Sequence, residues 1–520
     1  MTTLLVAAGI HTLSGDPNAE PARALLLDGN RIAWVGAVEA APAAGRTVDL
    51  ADGWVTPAFV DAHVHATATG LALEGVALAT ASSAAEVLDR LRDHAAGSDS
   101  AVILGYGWDD FGWVEGGPPT AEQISRAAPG RTVLLTRVDA HSCLVDAATL
   151  TLLPLQTLEG VVRDEQGTPT GWLQEAASEA ALAEVRQRVP SPQLRVARTA
   201  ACRAAASLGI ASLHEMGHPG LWGLDDARAW AVGDWPIEVH TWWAQLDLAA
   251  ATDNGLRPGG DLFLDGSIGS ATAATSAAYG PDGGNGTLFH GDEAVAAWFD
   301  DCTSAGRGGG VHAIGDRAIE QAISAVEAAA VAHGADAVRR CRHRIEHVEL
   351  PTRRHVNRMA RLGIVASVQP AFDATWGGDD GLYAARFGTE VARSSNPLAW
   401  FAREGVVMAF GSDSTVTPLD PWGGVAAATH HRGGLGLPRS TALSAHTLGG
   451  RYVAGQGDVG ALVAGQRADF AVWDADPLAT EDLTVVRCLA TVVAGTVAHG
   501  DLTLDGSRAG RTADGFFASP

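Results

Sequence analysis

The stretch Val55-Thr56-Pro57-Ala58-Phe59-Val60-Asp61-Ala62-His63-Val64-His65 carries two imidazoles two residues apart. In a β-strand, successive side chains point to opposite faces, so Phe59, Asp61, His63 and His65 share one face. Two imidazoles at a strand's C-terminal end are placed to chelate one divalent cation. A His-x-His pair by itself is a weak signal that two unrelated histidines would also produce. Three later apolar runs each end in a further metal-compatible group. They are His312 in Gly310-Val311-His312-Ala313, His347 in Arg344-Ile345-Glu346-His347, and Asp413 in Phe410-Gly411-Ser412-Asp413. Each alone also reads as a hydrogen-bonded core histidine or a helix-capping aspartate. Their succession in strand order after the first pair points to one shared cation. Divalent metal at such a site lowers the pKa of bound water from 15.7 toward about 7, and a nearby carboxylate can take and return its proton.

Elements must bring these groups together. Buried-strand runs at 55–64, 209–213, 237–243, 262–265, 310–314, 344–348, 364–368 and 406–411 alternate with Ala-rich helical stretches, the pattern of parallel βα units. Eight such runs predict an α/β fold of the (β/α)₈ TIM-barrel class, with the metal-compatible groups at the mouth. Residues of about 75–195 break this rhythm, contain strand-like pieces at 101–104 and 132–136, and read as an insertion after strand 1. The N-terminal segment has strands without helices, including a hairpin through Asp28-Gly29-Asn30, and the C-terminal segment repeats that style at 469–473 and 490–497. The expected organisation is therefore residues 1–54 as the first part of a small β-sandwich, 55–454 as the barrel, and 455–520 as the second part of the sandwich.

Composition narrows the function classes. The chain has 520 residues, is 47% hydrophobic, and carries a formal charge of −24, which disfavours nucleic acid and anionic membranes as partners. It lacks a basic leader and any run of about 18 apolar residues, so a cytoplasmic location is expected. The five cysteines, Cys143, Cys202, Cys302, Cys341 and Cys488, form no CxxC pair and suggest neither a disulfide framework nor a thiolate zinc site. All 36 basic residues are arginine. With no lysine in the chain, no mechanism that needs one applies.

Across nearly its whole length the chain resembles the amidohydrolase superfamily, in the branch called amidohydrolase family 3 or YtcJ-like. The resemblance rests on residues 53–65, Gly105-Tyr106-Gly107-Trp108-Asp109, Asp139-Ala140-His141-Ser142, and Asp265-Gly266-Ser267-Ile268-Gly269-Ser270. It continues through residues 312–318, Arg344-Ile345-Glu346-His347, Gly411-Ser412-Asp413 and residues 465–470. It implies that His63, His65, His312 and His347 are metal ligands or metal-facing groups, and that Asp413 is a catalytic acid/base that also touches the metal. His141 and Trp108 resemble positions near the site and are expected to meet substrate. Dimerisation is a family-level expectation.

One departure stands out. Many relatives bridge two metals with a carbamylated lysine four residues before the Asp-Gly corresponding to Asp265-Gly266; here that position is Asp261. Either one metal is held by His63, His65, His312 and Asp413, with His347 polarising the substrate, or a carboxylate bridges two metals. Glu175 is the preferred bridging candidate, since relatives often place a glutamate there, and a solvated helix-start residue is its plain alternative. Asp261 precedes its strand and is expected nearer the barrel's N-terminal face. Asp61 and Glu346 are candidates to orient the histidines. Zinc is the first expectation for the metal, with manganese, iron or cobalt also compatible with His/Asp donors. Fifteen tryptophans include Trp108, Trp113, Trp376 and Trp422 in expected mouth loops, where indoles would favour an apolar or aromatic substrate or simply pack the insertion. The expected reaction is hydrolysis of a non-peptide C–N bond of a small molecule, N-acyl or N-formyl. The alternatives are a deaminase or cyclic-amide hydrolase and, from another class, a metal-free binding barrel.

Overall fold

Short runs of fully buried residues form the parallel strands Phe59–Val64 (β1), Ile210–Gly217 (β2), Glu238–Trp243 (β3), Arg257–Pro258 (β4), Gly310–Ala313 (β5), Arg344–His347 (β6), Val365–Val368 (β7) and Met408–Phe410 (β8). The computed structural model describes residues 2–15, 20–113, 117–139, 141–280 and 283–502. The strands pair in two four-stranded sheets, ordered β4-β3-β2-β1 and β5-β6-β7-β8. Backbone hydrogen bonds link the sheets on both sides. Leu264 N–H donates to His312 O at 3.0 Å, and His312 N–H to Leu262 O at 2.9 Å. Opposite, Asp413 N–H donates to His63 O at 2.7 Å, and His65 N–H to Ser414 O at 3.0 Å. Helices such as Gly223–Val232, Asp316–His333, Arg353–Leu362 and Pro421–Thr429 follow individual strands. The result is a TIM-barrel-like α/β arrangement.

Two of the expected runs are broken up or shifted. The run 55–64 divides at Ala58. Trp54–Pro57 pairs antiparallel with Phe470–Trp473, and only Phe59–Val64 joins the barrel sheet. Pro57 has no amide donor and suits a strand's end rather than its middle. The run 262–265 is reduced to a single bridge between Phe263 and His312, while pairing with β3 falls to Arg257–Pro258. Gly259 and Gly260 explain the displacement, since both have φ of +80°. A Cβ at Gly259 would lie 2.0 Å from Gly310 O, and one at Gly260 would lie 2.7 Å from Met216 S. Only glycine fits at either place, and the turn it permits delivers Asp261 to the barrel interior.

The N- and C-terminal segments share one eight-stranded sheet. Its main path runs Thr496–Gly500, Cys488–Val493, Phe470–Trp473, Trp54–Pro57, Thr2–Ile10, Ala22–Asp28, Arg31–Gly36, with Arg46–Asp49 pairing on Thr2–Ile10. Leu5, Leu25, Val48, Val55, Phe470 and Val492 are among its buried core residues. Of the C-terminal segment, residues 503–520 lie outside the described residues. By internal contacts the described residues 2–66 and 202–502 form one compact unit, and Thr67–Ala201 forms the core of the other. The second unit has its own six-stranded sheet, which includes Val102–Trp108 and Thr132–Arg137, over a core of Leu78, Val87, Ile103, Trp108, Val133 and Leu135. Four cysteines are buried, Cys488 is half-buried, and all five are free. No helix among the described residues is long and apolar enough to cross a membrane.

Within the first unit, a buried ionic network ties the terminal sheet to β3. Arg451, 2% exposed, donates to Asp469 Oδ2 at 2.7 Å and to Gln456 Oε1 at 3.1 Å, while Arg467 donates to Asp469 Oδ2 and Glu238 Oε2 at 2.6 Å each. Removing one partner of such a network leaves buried carboxylates uncompensated. Arg451→Ala is expected to destabilise the unit by about 3–5 kcal/mol, read as a fall in the urea unfolding midpoint.

Candidate metal centre

β1, β5, β6 and β8 deliver the expected groups to one end of the barrel. His63 lies in β1 with His65 just beyond it, His312 in β5, His347 at the end of β6, and Asp413 three residues past β8. His63 Nε2 lies 3.5 Å, and His65 Nε2 3.4 Å, from Asp413 Oδ1. Two ligand atoms each about 2.1 Å from a tetrahedral ion are about 3.4 Å apart, so these three side chains fit around one cation. His63 Nε2 and Asp413 Oδ1 are also buried without a hydrogen-bond partner, which a metal ion would relieve. His63, Asp261 and His347 form a second group whose ligand atoms all lie within 4.8 Å of one another.

Asp261 corrects the expectation drawn from its position before the strand. Its Oδ1 lies 3.1 Å from His312 Nδ1 and 3.4 Å from His347 Nε2, while its Oδ2 lies 3.5 Å from His65 Nε2. The carboxylate is divided between the His65 side and the His312/His347 side, as a bridging ligand would be. The physical reason is the Gly259-Gly260 turn, which sends Asp261 inward among the ligands rather than toward the far face. Glu175 is exposed in the second unit, and its Oε2 lies 3.1 Å from His141 Nδ1, which is exposed as well. Trp108, expected against substrate, is instead 0% exposed, with its Nε1–H donating to Leu135 O at 2.8 Å in the second unit's core. Of the other mouth-loop tryptophans, Trp422 is buried against Phe59 and Trp473, Trp113 packs beside Trp108, and Trp376 stands beside Phe372.

A further set of residues orients the candidate ligands. His63 Nδ1 meets Glu346 Oε2 at 2.9 Å, so Glu346 rather than Asp61 holds that ring. Asp61 Oδ1 instead accepts from the backbone N–H groups of His63 at 3.2 Å and Ser412 at 3.0 Å, tying the ends of β1 and β8 together. Arg344 ion-pairs with Glu346 and donates to Ala62 O and Ser367 Oγ at 2.6 Å each; its guanidinium lies 4.8 Å above the Trp242 ring. His347 Nδ1 lies 2.8 Å from Gln369 Oε1, just past β7. Asp413 and His347 have φ of +53° and +70°, conformations that non-glycine residues adopt at a cost and that cluster at functional sites. The sequence reading missed Arg344 and Gln369 as ligand supports. Their signal was position alone, opposite ends of short apolar runs.

The site's charges favour a cation. Burial pushes the Asp261 carboxyl up, but His312, His347 and His65 outweigh it and hold the group well below the usual carboxylate range. Asp413 is held down in the same way, chiefly by His63 against the cost of burial. Burial pulls the His312 imidazolium down, yet Asp261 raises it to about 9. Glu346, which burial alone would raise, is held at about 2 by Arg344 and His63.

Comparison with known proteins points the same way. The amidohydrolase family's sequence profile matches residues 46–499. The chain is similar to a putative amidohydrolase, YtcJ, of Bacillus subtilis (strain 168), 26% identical over 485 residues that cover 85% of this chain and 88% of the relative. It is similar to an N-substituted formamide deformylase of Arthrobacter pascens, 25% identical over 95% of this chain and 98% of the relative. Among solved structures it resembles an uncharacterised metal-dependent hydrolase from Pyrococcus horikoshii OT3, with a TM-score of 0.76 and 25% identity over 92% of this chain and 99% of the other.

Partners that orient a ligand typically contribute ten- to a hundredfold to metal affinity. Glu346→Gln is expected to weaken zinc binding by about that factor with the circular dichroism spectrum unchanged, measured by competition against a chromophoric chelator.

Proposed function

The chain belongs to the amidohydrolase family, and from that premise we propose that it is a metal-dependent hydrolase cleaving a non-peptide C–N bond of an N-formyl or N-acyl amide. The observation that carries the proposal is the convergence of His63, His65, His312 and His347 on Asp261, with Asp413 beside His63 and His65. The two faces of Asp261 support a two-ion site, with His63, His65 and Asp413 on one side and His312 and His347 on the other. Bound divalent ions, zinc first and manganese, iron or cobalt as alternatives, would supply an activated water and a Lewis acid for the substrate carbonyl.

The chain's own groups do the rest. Asp413 takes the proton of the attacking water and returns it to the leaving nitrogen. Gln369 holds His347 in one ring orientation, and the Arg344–Glu346 pair does the same for His63, so the ligands need no rearrangement as charge develops. Asp261 replaces the carbamylated lysine of many relatives, and the site's assembly therefore requires no carbon dioxide. The similarity to a formamide deformylase along 95% of the chain places small N-substituted formamides first among substrates to be tried. Glu175 and His141 receive no metal role in this reading.

The test is a panel of N-substituted formamides, N-acyl amides, amidines and cyclic amides, assayed after chelation and after zinc or manganese is restored. The expected outcome is release of carboxylate and amine only with metal, at a rate that removing bicarbonate leaves unchanged. Ammonia as the product would favour a deaminase. A protein that holds no divalent ion and turns over nothing would favour a binding barrel. Asp261→Asn is expected to lower the metal content from two ions per chain to one or none and to reduce turnover at least about a hundredfold, read by elemental analysis beside the assay.

A further inference from the structure

His218 is the first residue after β2, whose C-terminal end is one of those that form the mouth. The Gly220 amide donates to its Nδ1 at 2.9 Å. A nitrogen that accepts this bond carries a lone pair, so in the neutral ring the proton sits on Nε2. Gly220 is suited to the close turn, since a side chain there would press on the imidazole at 3.2 Å. The ring is half-buried, and among the described residues no side chain or carbonyl accepts from Nε2. One face packs on Phe263, with ring centroids 5.0 Å apart, and Phe263 in turn meets His312 edge-on at 4.7 Å. Asp261, His65 and His312 are near enough to act on its charge, and burial, the largest influence, keeps the ring neutral. With its Nδ1 lone pair engaged by Gly220 and its Nε2 protonated, His218 cannot serve as a metal ligand. Its Nε2–H is left to donate a hydrogen bond, on a ring that only Phe263 separates from His312.

We propose that His218 is a substrate-facing donor whose Nε2–H binds the carbonyl oxygen of the scissile amide and strengthens its hold as that oxygen gains charge. The inference rests on the hydrolase reading above. A pre-oriented neutral donor aimed at a developing oxyanion needs no reorganisation during the reaction, and loss of one such donor typically costs about a hundredfold or more in kcat.

The experiment uses zinc-loaded protein labelled with ¹⁵N at histidine, with His218→Phe identifying the resonance. At neutral pH the ring is expected to show a protonated Nε2 and an unprotonated Nδ1. The Nε2–H signal is expected to move when acetohydroxamate, a carbonyl-bearing chelator, is added. A ring protonated on Nδ1, or a signal unmoved while calorimetry shows acetohydroxamate binding, overturns the inference and leaves the hydrolase reading intact. Failure of acetohydroxamate to bind at all overturns both. With N-butylformamide turned over by the wild-type protein, His218→Phe, which keeps the packing on Phe263, is expected to lower kcat about a hundredfold at unchanged zinc content. His218→Gln, which keeps a donor, is expected to recover at least a tenth of wild-type kcat. Wild-type kcat in His218→Phe, or equal losses in both variants, also overturns it.

Discussion

A buried carboxylate must be matched by positive charge or by donors, and Asp261 is matched by three imidazoles from three different strand ends. Much of the barrel mouth can be understood from that requirement. The Gly259-Gly260 turn exists where no larger residue would fit, and it places the carboxylate where a strand of ordinary length would have carried it past. His65, His312 and His347 then have a common centre, and Asp413 faces the first pair across the opposite seam. In a chain without lysine, a carboxylate set this deeply supplies the negative charge that these imidazoles meet.

The candidate ligands are oriented in turn by groups outside their cluster. Arg344 is a buried guanidinium pinned by Ala62, Ser367, Glu346 and the Trp242 face. It fixes Glu346, and Glu346 fixes the His63 ring. The left-handed backbone at His347 and Asp413 belongs with this. Strained conformations persist only where the surroundings over-determine them, and here His63 O holds the Asp413 amide and Gln369 holds the His347 ring.

Much of this was legible in the residues. The His-x-His pair, His312, His347 and Asp413 stand at strand ends because alternation and apolar runs can be read directly, and the structure brings them together. Period and length also located the insertion's strands at 102–108 and 132–137. What failed was local. β2 extends past Leu213 through His214 and Glu215, polar residues that find buried partners in the Arg344 guanidinium and the Ala66 amide, so an apolar run ending at Leu213 concealed both the strand's true end and His218. Asp261 was misplaced because two consecutive left-handed glycines do not look like part of a strand. Trp108 reads as a rim residue when its loop is considered alone, but a ring that size with its N–H satisfied by Leu135 is more stable in a core.

The most direct test is a crystal structure of the protein soaked in zinc, with anomalous difference density collected at the metal edge. Two peaks flanking Asp261, one within coordination distance of His63, His65 and Asp413 and the other of His312 and His347, are the predicted result. A map with density elsewhere, or with the Asp261 carboxylate turned away from every peak, would contradict the account.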